Sequence, residues 1–166
     1  MSARRIVPVL AVAVMLASGV MAHASVSMTT TPTATISDWV LQPTGANQRS
    51  GGTVTINATE PYEVTMTADK TRLSEWDTGT SSYVTDGETL GAAPQVTAAR
   101  TGGTALVPGV GATATIGVTD SVATGTGLGT DEYAITLSQA TTILDKALPG
   151  GRTYHIVLTY TASATL

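Results

Sequence analysis

Short runs of alternating apolar and polar residues recur along this chain, and Gly and Pro separate them. A two-residue period of this kind belongs to strands with one buried face. In Thr53 to Ala58, Val54 and Ile56 point one way while Thr53, Thr55 and Asn57 point the other. Glu60-Pro61 interrupts, and Tyr62 to Ala68 repeats the pattern with Tyr62, Val64 and Met66, so the two runs predict a hairpin. Upstream, Ile36 to Leu41 places Trp39 and Leu41 on one face and stops at Gln42-Pro43 and Gly45. Asp69 to Pro94 is more polar and predicts a long excursion with one short strand near Ser82 to Thr85. Further short strands are predicted over Gln95 to Ala99, Thr104 to Val107 and Ala112 to Thr119. Asp131 to Gln139 aligns Tyr133, Ile135 and Leu137, and Ala140 to Ala147 reads as one helical turn or a crossover. After Pro149-Gly150-Gly151, a closing strand sets Tyr154, Ile156, Leu158 and Tyr160 on one face.

About seven to nine short strands with no sustained helical period predict an all-β fold, an antiparallel β-sandwich of Ig-like or Greek-key type. A closed barrel is the competing arrangement. An outer-membrane barrel fits poorly, because spanning strands need about ten residues and aromatic girdles, and aromatic residues are 4% of this chain. Composition agrees: Thr supplies 32 of the 142 residues after Ala24, and Phe is absent. Thr is β-branched, favours extended backbone and suits the wet face of a sheet.

Met1 to Ala24 has the three parts of a secretory leader: Arg4 and Arg5, an apolar run from Ile6 to Val20, and Ala22-His23-Ala24 as a cleavage site. The expected organisation is a leader over 1–24, a flexible segment over 25–35 and one sandwich domain over 36–166. Cleavage removes Arg4 and Arg5, leaving six Lys and Arg against twelve Asp and Glu, a net charge of −6. An acidic exterior disfavours nucleic acid and anionic lipid as partners. With no membrane span expected after cleavage, the chain is expected to be secreted, extracellular or at the cell surface. There is no Cys, so stability rests on packing and hydrogen-bonded ladders.

Several pieces of the chain resemble a group of small exported surface proteins of methanogenic archaea and some bacteria. They are Trp39-Val40-Leu41, the Gly-rich turn into TVTINA, Pro61 to Thr65, the YAITLSQ run at Tyr133 to Gln139, Asp145, Gly151, and the closing YHIVLTYTAS. The resemblance covers most of the chain after the leader and implies a Thr-rich β-sandwich at the cell surface. The closing strand is also similar to that of filament subunits that assemble by donating strands. Trp39-Val40-Leu41 is similar to the motif of wall-binding WxL domains, although a second, C-terminal Trp-x-Leu is missing.

Catalytic equipment is sparse. A zinc site needs about three His, Cys or carboxylate ligands, and after the leader the chain offers only His155 and no Cys. His155 falls on the face opposite Tyr154 and Ile156 and is expected to be a partly exposed strand residue. No nucleophile-elbow sequence is present. Glycoside hydrolysis needs two opposed carboxylates, for which Glu75 with Asp77, Asp86 with Glu88, and Asp131 with Glu132 are the candidates. Such pairs in turns more often carry solvated charge, and the chain is read as a non-enzyme needing no cofactor. A weak calcium site is expected at most near Asp120, Asp131 and Glu132. Asn57-Ala58-Thr59 is a glycosylation sequon. Trp39 is expected as a core aromatic between the sheets, whereas Trp76, flanked by Glu75 and Asp77, and Tyr83 are the candidate ligand contacts.

Two functional classes follow. The first is a structural or adhesive surface protein that self-associates through strand edges, with Ser25 to Thr35 as a segment able to add to a neighbour's sheet. The second is a non-catalytic module that binds carbohydrate or another envelope component through the loops around Trp76 and Tyr83.

Overall fold

The computed structural model describes residues 25–165 apart from 31, 33, 34 and 38, so the expected leader lies outside the described residues. Twelve strands are described: β1 (Val26–Thr30), β2 (Thr35–Ile36), β3 (Gly45–Ala58), β4 (Tyr62–Ala68), β5 (Ser74–Asp77), β6 (Ser82–Tyr83), β7 (Gln95–Gly103), β8 (Val110–Gly111), β9 (Thr113–Thr115), β10 (Ser121–Gly125), β11 (Gly129–Thr141) and β12 (Arg152–Ala164). They form two antiparallel sheets, one in the order β1-β3-β11-β7-β9 and one in the order β6-β5-β12-β4-β10-β8, with β2 added to β12. The all-β, two-sheet expectation holds.

The alternation read from the sequence sets the core. Val54 and Ile56 of β3, Val96 of β7, and Tyr133, Ile135 and Leu137 of β11 are buried from the first sheet. Tyr62, Val64 and Met66 of β4 and Ile156 and Leu158 of β12 are buried from the second, with Tyr154 and Tyr160 packed at its margin. Hydroxyls cover the outer faces as Thr content predicts: Ser50, Thr136, Thr97 and Thr113 stand in one cross-strand row. The Thr97 and Thr113 hydroxyls lie 2.8 Å apart.

Five expectations are corrected. β3 and β4 are not a hairpin but lie in different sheets: β3 pairs with β1 and β11, while β4 pairs with β12 and β10. Glu60-Pro61 carries the chain across the sandwich, so the two apolar faces meet through the core instead of side by side. Second, β3 is fourteen residues long and runs through Gly51-Gly52 on a bulge. Gly51 is required there, since a Cβ would come within 2.8 Å of the Ile135 side chain. Third, within the segment expected to be flexible, Val26–Thr30 forms β1, whose Val26 and Met28 pack against the core and pair with Ala58 and Ile56. Fourth, the expected strand over Ile36 to Leu41 is reduced to Thr35–Ile36, because Gln42 is held by Asn47 and the intervening Trp39 to Leu41 turns along the sandwich end. Thr104 to Val107 is loop, and β10 was not foreseen.

Candidate functional site

At the end of the sandwich where β3 begins and β11 finishes, a cleft of about 600 Å³ opens between three chain segments. Trp39 to Pro43 forms one wall, Thr141, Thr142 and Asp145 to Leu148 another, and Arg152 to Tyr154 of β12 the floor. A buried polar clamp fixes the first wall. Asn47 Oδ1 accepts the Gln42 N–H at 2.6 Å, and Asn47 Nδ2 donates to Thr141 Oγ1 at 3.1 Å and to the Gln139 carbonyl at 3.3 Å. Thr141 Oγ1 in turn donates to the Gln42 carbonyl at 2.7 Å. Trp39 leans out half-buried with the Arg49 guanidinium 5.7 Å from its ring, so it is a cleft wall and not the enclosed aromatic expected from its strand context.

The second wall is a tight turn. Asp145 N–H donates to the Thr142 carbonyl, while the Asp145 carboxylate accepts the Thr142 N–H and the Gly91 N–H, both at 2.7 Å. Those amide donors, Gly91 first, hold the Asp145 carboxyl below the ordinary carboxylate range. On the floor, Arg152 lies 3.9 Å from Glu75 and 3.2 Å from Asp77. This candidate acid pair is therefore committed to one guanidinium. Lys146 binds Glu88 at 2.5 Å, and Tyr154 donates its hydroxyl to the Lys146 carbonyl at 2.8 Å. Burial first, and then the charges of Glu88, Asp145 and Glu75, push the Tyr154 hydroxyl upward.

Trp76 and Tyr83 are brought together on the outer face of the second sheet, directly opposite one another on β5 and β6. Their rings meet edge-on at 5.0 Å, and Trp76 stacks on His155 at 4.2 Å and 14°. His155 is thus 7% exposed, a correction to the expected partly exposed residue, because Trp76 lies flat over it. Tyr83 donates to Asp69 Oδ2 at 2.6 Å, Asp69 Oδ1 accepts the Val157 N–H at 2.9 Å, and the Lys70 ammonium sits 4.7 Å from the Tyr83 ring. Much of this aromatic surface is engaged by neighbouring residues of the same chain.

The proposed calcium residues do not converge. Asp131 faces inward at 1% exposure while its neighbour Glu132 is exposed on the opposite face of β11, and Asp120 lies in the turn before β10. Among the described residues no group of three His, Cys, Asp or Glu is placed to hold a metal ion. Asp131 instead anchors the other end of the sandwich. Its Oδ1 accepts from Arg100 Nε at 2.6 Å and from the Gly109 N–H at 3.2 Å, and its Oδ2 accepts from the Tyr62 hydroxyl at 2.8 Å. The Tyr62 and Tyr133 hydroxyls are 2.7 Å apart. Burial raises the Asp131 carboxyl, but the Arg100 hydrogen bond, Tyr62, the Gly109 amide and the Arg100 charge outweigh it and hold it below its ordinary value. Asn57 stands mid-sheet between Ser27 and Thr130, half-buried, with its Oδ1 accepting from Thr130 Oγ1 at 2.6 Å.

Comparison with protein families, with curated proteins and with solved structures finds no match to this chain.

Proposed function

We propose that this chain is a secreted or cell-surface structural module that assembles with other copies of itself by exchange of its first strand. The observation that carries the reading is the position of β1. It is an edge strand whose partner is β3 of the first sheet, whereas the next strand, β2, joins the opposite sheet four residues after β1 ends. With the expected leader removed, an edge strand on so short a connection can leave its own sheet and complete the same edge of a neighbour, with the ladder and the Val26 and Met28 contacts reproduced between chains. Among the described strands, the other ends of the two sheet paths are β9, β6 and β8, of three, two and two residues, and β2, which pairs with β12 alone, also has two; edges that short resist nonspecific pairing. Chemistry is not part of this reading: His155 is stacked under Trp76, and the Glu75 and Asp77 carboxylates are bound to Arg152.

Electron microscopy and light scattering of the purified protein test it. Filaments or particles that grow with concentration are expected. A species that stays monomeric at every concentration overturns the proposal.

A second reading, a module binding envelope carbohydrate, is favoured by the cleft between Trp39 and Tyr154, whose volume suits a small ligand. Titration with envelope sugars is expected to quench Trp fluorescence in the parent and not in Trp39→Ala. Equal quenching in both defeats it.

A further inference from the structure

The β1–β3 ladder does not stop at the Val26 and Ala58 pair. One step further, the Ser25 carbonyl accepts the Thr59 N–H at 3.0 Å and the Thr59 hydroxyl at 3.4 Å, and the Ser25 N–H donates to Thr59 Oγ1 at 2.9 Å. Thr59 thus engages both backbone groups of Ser25. Thr55 grips the other end of β1: its carbonyl accepts from Thr29 Oγ1 at 3.3 Å, and its hydroxyl accepts from Thr30 Oγ1 at 3.0 Å. Two threonines clasp β1 at its ends, and Val26 and Met28 pack against the core between them.

Ser25 is also the residue that follows Ala22-His23-Ala24, the expected cleavage site. The nitrogen of the bond to be cut is therefore the nitrogen that Thr59 holds. Hydrolysis adds water across that bond: the Ala24 carbonyl carbon takes the hydroxyl and becomes a carboxylate, and the Ser25 nitrogen leaves as an amine that is an ammonium near neutral pH. A peptidase must hold the residues on both sides of the bond in its own cleft. It acts on the fraction of chains in which the segment has opened.

We infer that the leader is removed only while β1 is off β3, with Thr59 as the positioning residue that sets the balance between the two states. The inference rests on the strand-exchange reading and adds its timing. A chain with β1 docked on its own edge resists the cut. A chain that has just been cut carries a free β1 and an open β3 edge, the state from which exchange with a neighbour starts. Before the cut, β1 reaches a neighbour only by taking the apolar run Ile6 to Val20 with it; afterwards it carries nothing. The cut also changes the contact it interrupts. An ammonium at Ser25 gives Thr59 Oγ1 a charge-assisted hydrogen bond in place of an amide one, and such bonds are about twice as strong. Leader removal therefore favours return of β1 to a β3 edge.

The purified uncut chain in neutral detergent, treated with a leader peptidase and followed by intact mass and light scattering, tests this. Thr59→Val removes the hydroxyl and keeps the shape. It is expected to raise the cleavage rate about two- to tenfold, the factor by which one hydrogen bond changes the open population. Thr59→Ser is expected to restore the parent rate. Ser27→Cys with Asn57→Cys ties β1 to its own β3; cleavage is expected to be lost while that bond is closed and to return on reduction, a comparison made within one folded protein. Scattering is expected to rise only after the cut. Equal cleavage of the closed and reduced forms, equal rates for Thr59→Val and the parent, a cut at another bond, or no cut in either form overturns the inference. An uncut chain that assembles as readily as the cut one also overturns it and leaves strand exchange intact. A cut chain that stays monomeric at every concentration defeats strand exchange instead, and the cleavage rates alone then decide whether docking shields Ser25.

Discussion

Arg100 and Asp131 form a charge pair at 2.6 Å between adjacent strands of the first sheet, with the carboxylate 1% and the guanidinium 24% exposed. The pair is held by more than its own attraction. Tyr62 reaches it from the second sheet and Gly109 from the loop before β8, so one carboxylate ties together both sheets and a loop. Replacing Asp131 with Ala leaves a cation facing two buried hydroxyls and is expected to cost about 3 to 5 kcal/mol, read as a lower urea midpoint with an unchanged slope.

Acid should act through the same group. A carboxyl held below its unfolded value, about 3.9 for Asp, adds stability that is fully present above that value and is lost as pH falls through the folded one. Stability is therefore expected to be flat above about pH 5 and to decline below about pH 4. Asp131→Asn is expected to show a shallower acid decline than the parent, from a lower plateau. Thermal melts across this range check it, and parallel curves for the two proteins contradict it.

Tyrosine hydroxyls separate supported from unsupported burial. The Tyr160 hydroxyl is buried with no hydrogen-bond partner among the described residues, and burial pushes its ionisation upward. Tyr160→Phe removes an unsatisfied polar atom and is expected to be neutral or stabilising by up to about 1 kcal/mol. Tyr62→Phe, which strips a donor from Asp131 and a neighbour from Tyr133, is expected to cost about 1 to 3 kcal/mol. Denaturant melts of both variants distinguish the cases.

Gly109 marks a close approach. A Cβ at this position would fall 2.1 Å from the Tyr133 hydroxyl and 2.7 Å from that of Tyr62, so Gly109→Ala is expected to lose about 1 to 3 kcal/mol through overpacking. Pairing it with Tyr133→Phe relieves the tighter clash. A double variant more stable than Gly109→Ala alone is the expected result, measured by the same melts.

The sequence carried the phase of each long strand better than its partners. Tyr133, Ile135 and Leu137 point inward, and the same two-residue phase extended in both directions places Asp131 and Gln139 inside as well. That extension was the available signal for the buried pair, and a reading of Asp131 with Glu132 as turn carboxylates passed over it. Strand partners were hidden because alternation fixes a face and says nothing about which sheet the face belongs to. Glu60-Pro61 serves a hairpin or a crossover equally well. The clamp of Asn47, Gln139 and Thr141 joins residues more than ninety positions apart, a distance local pattern cannot span. Trp76 and Tyr83 were legible as aromatics outside the apolar alternation; that Trp76 covers His155 depended on the β5 and β12 register.

Strand exchange is tested most directly by locking β1 onto its own chain. Ser27 and Asn57 stand directly opposite on β1 and β3, and the chain has no other Cys to interfere. A Ser27→Cys, Asn57→Cys variant should close a disulfide within one molecule. Light scattering before and after reduction is then the decisive measurement. Assembly blocked when the bond is closed and restored when it is reduced is the predicted result, and equal assembly in both states contradicts the account.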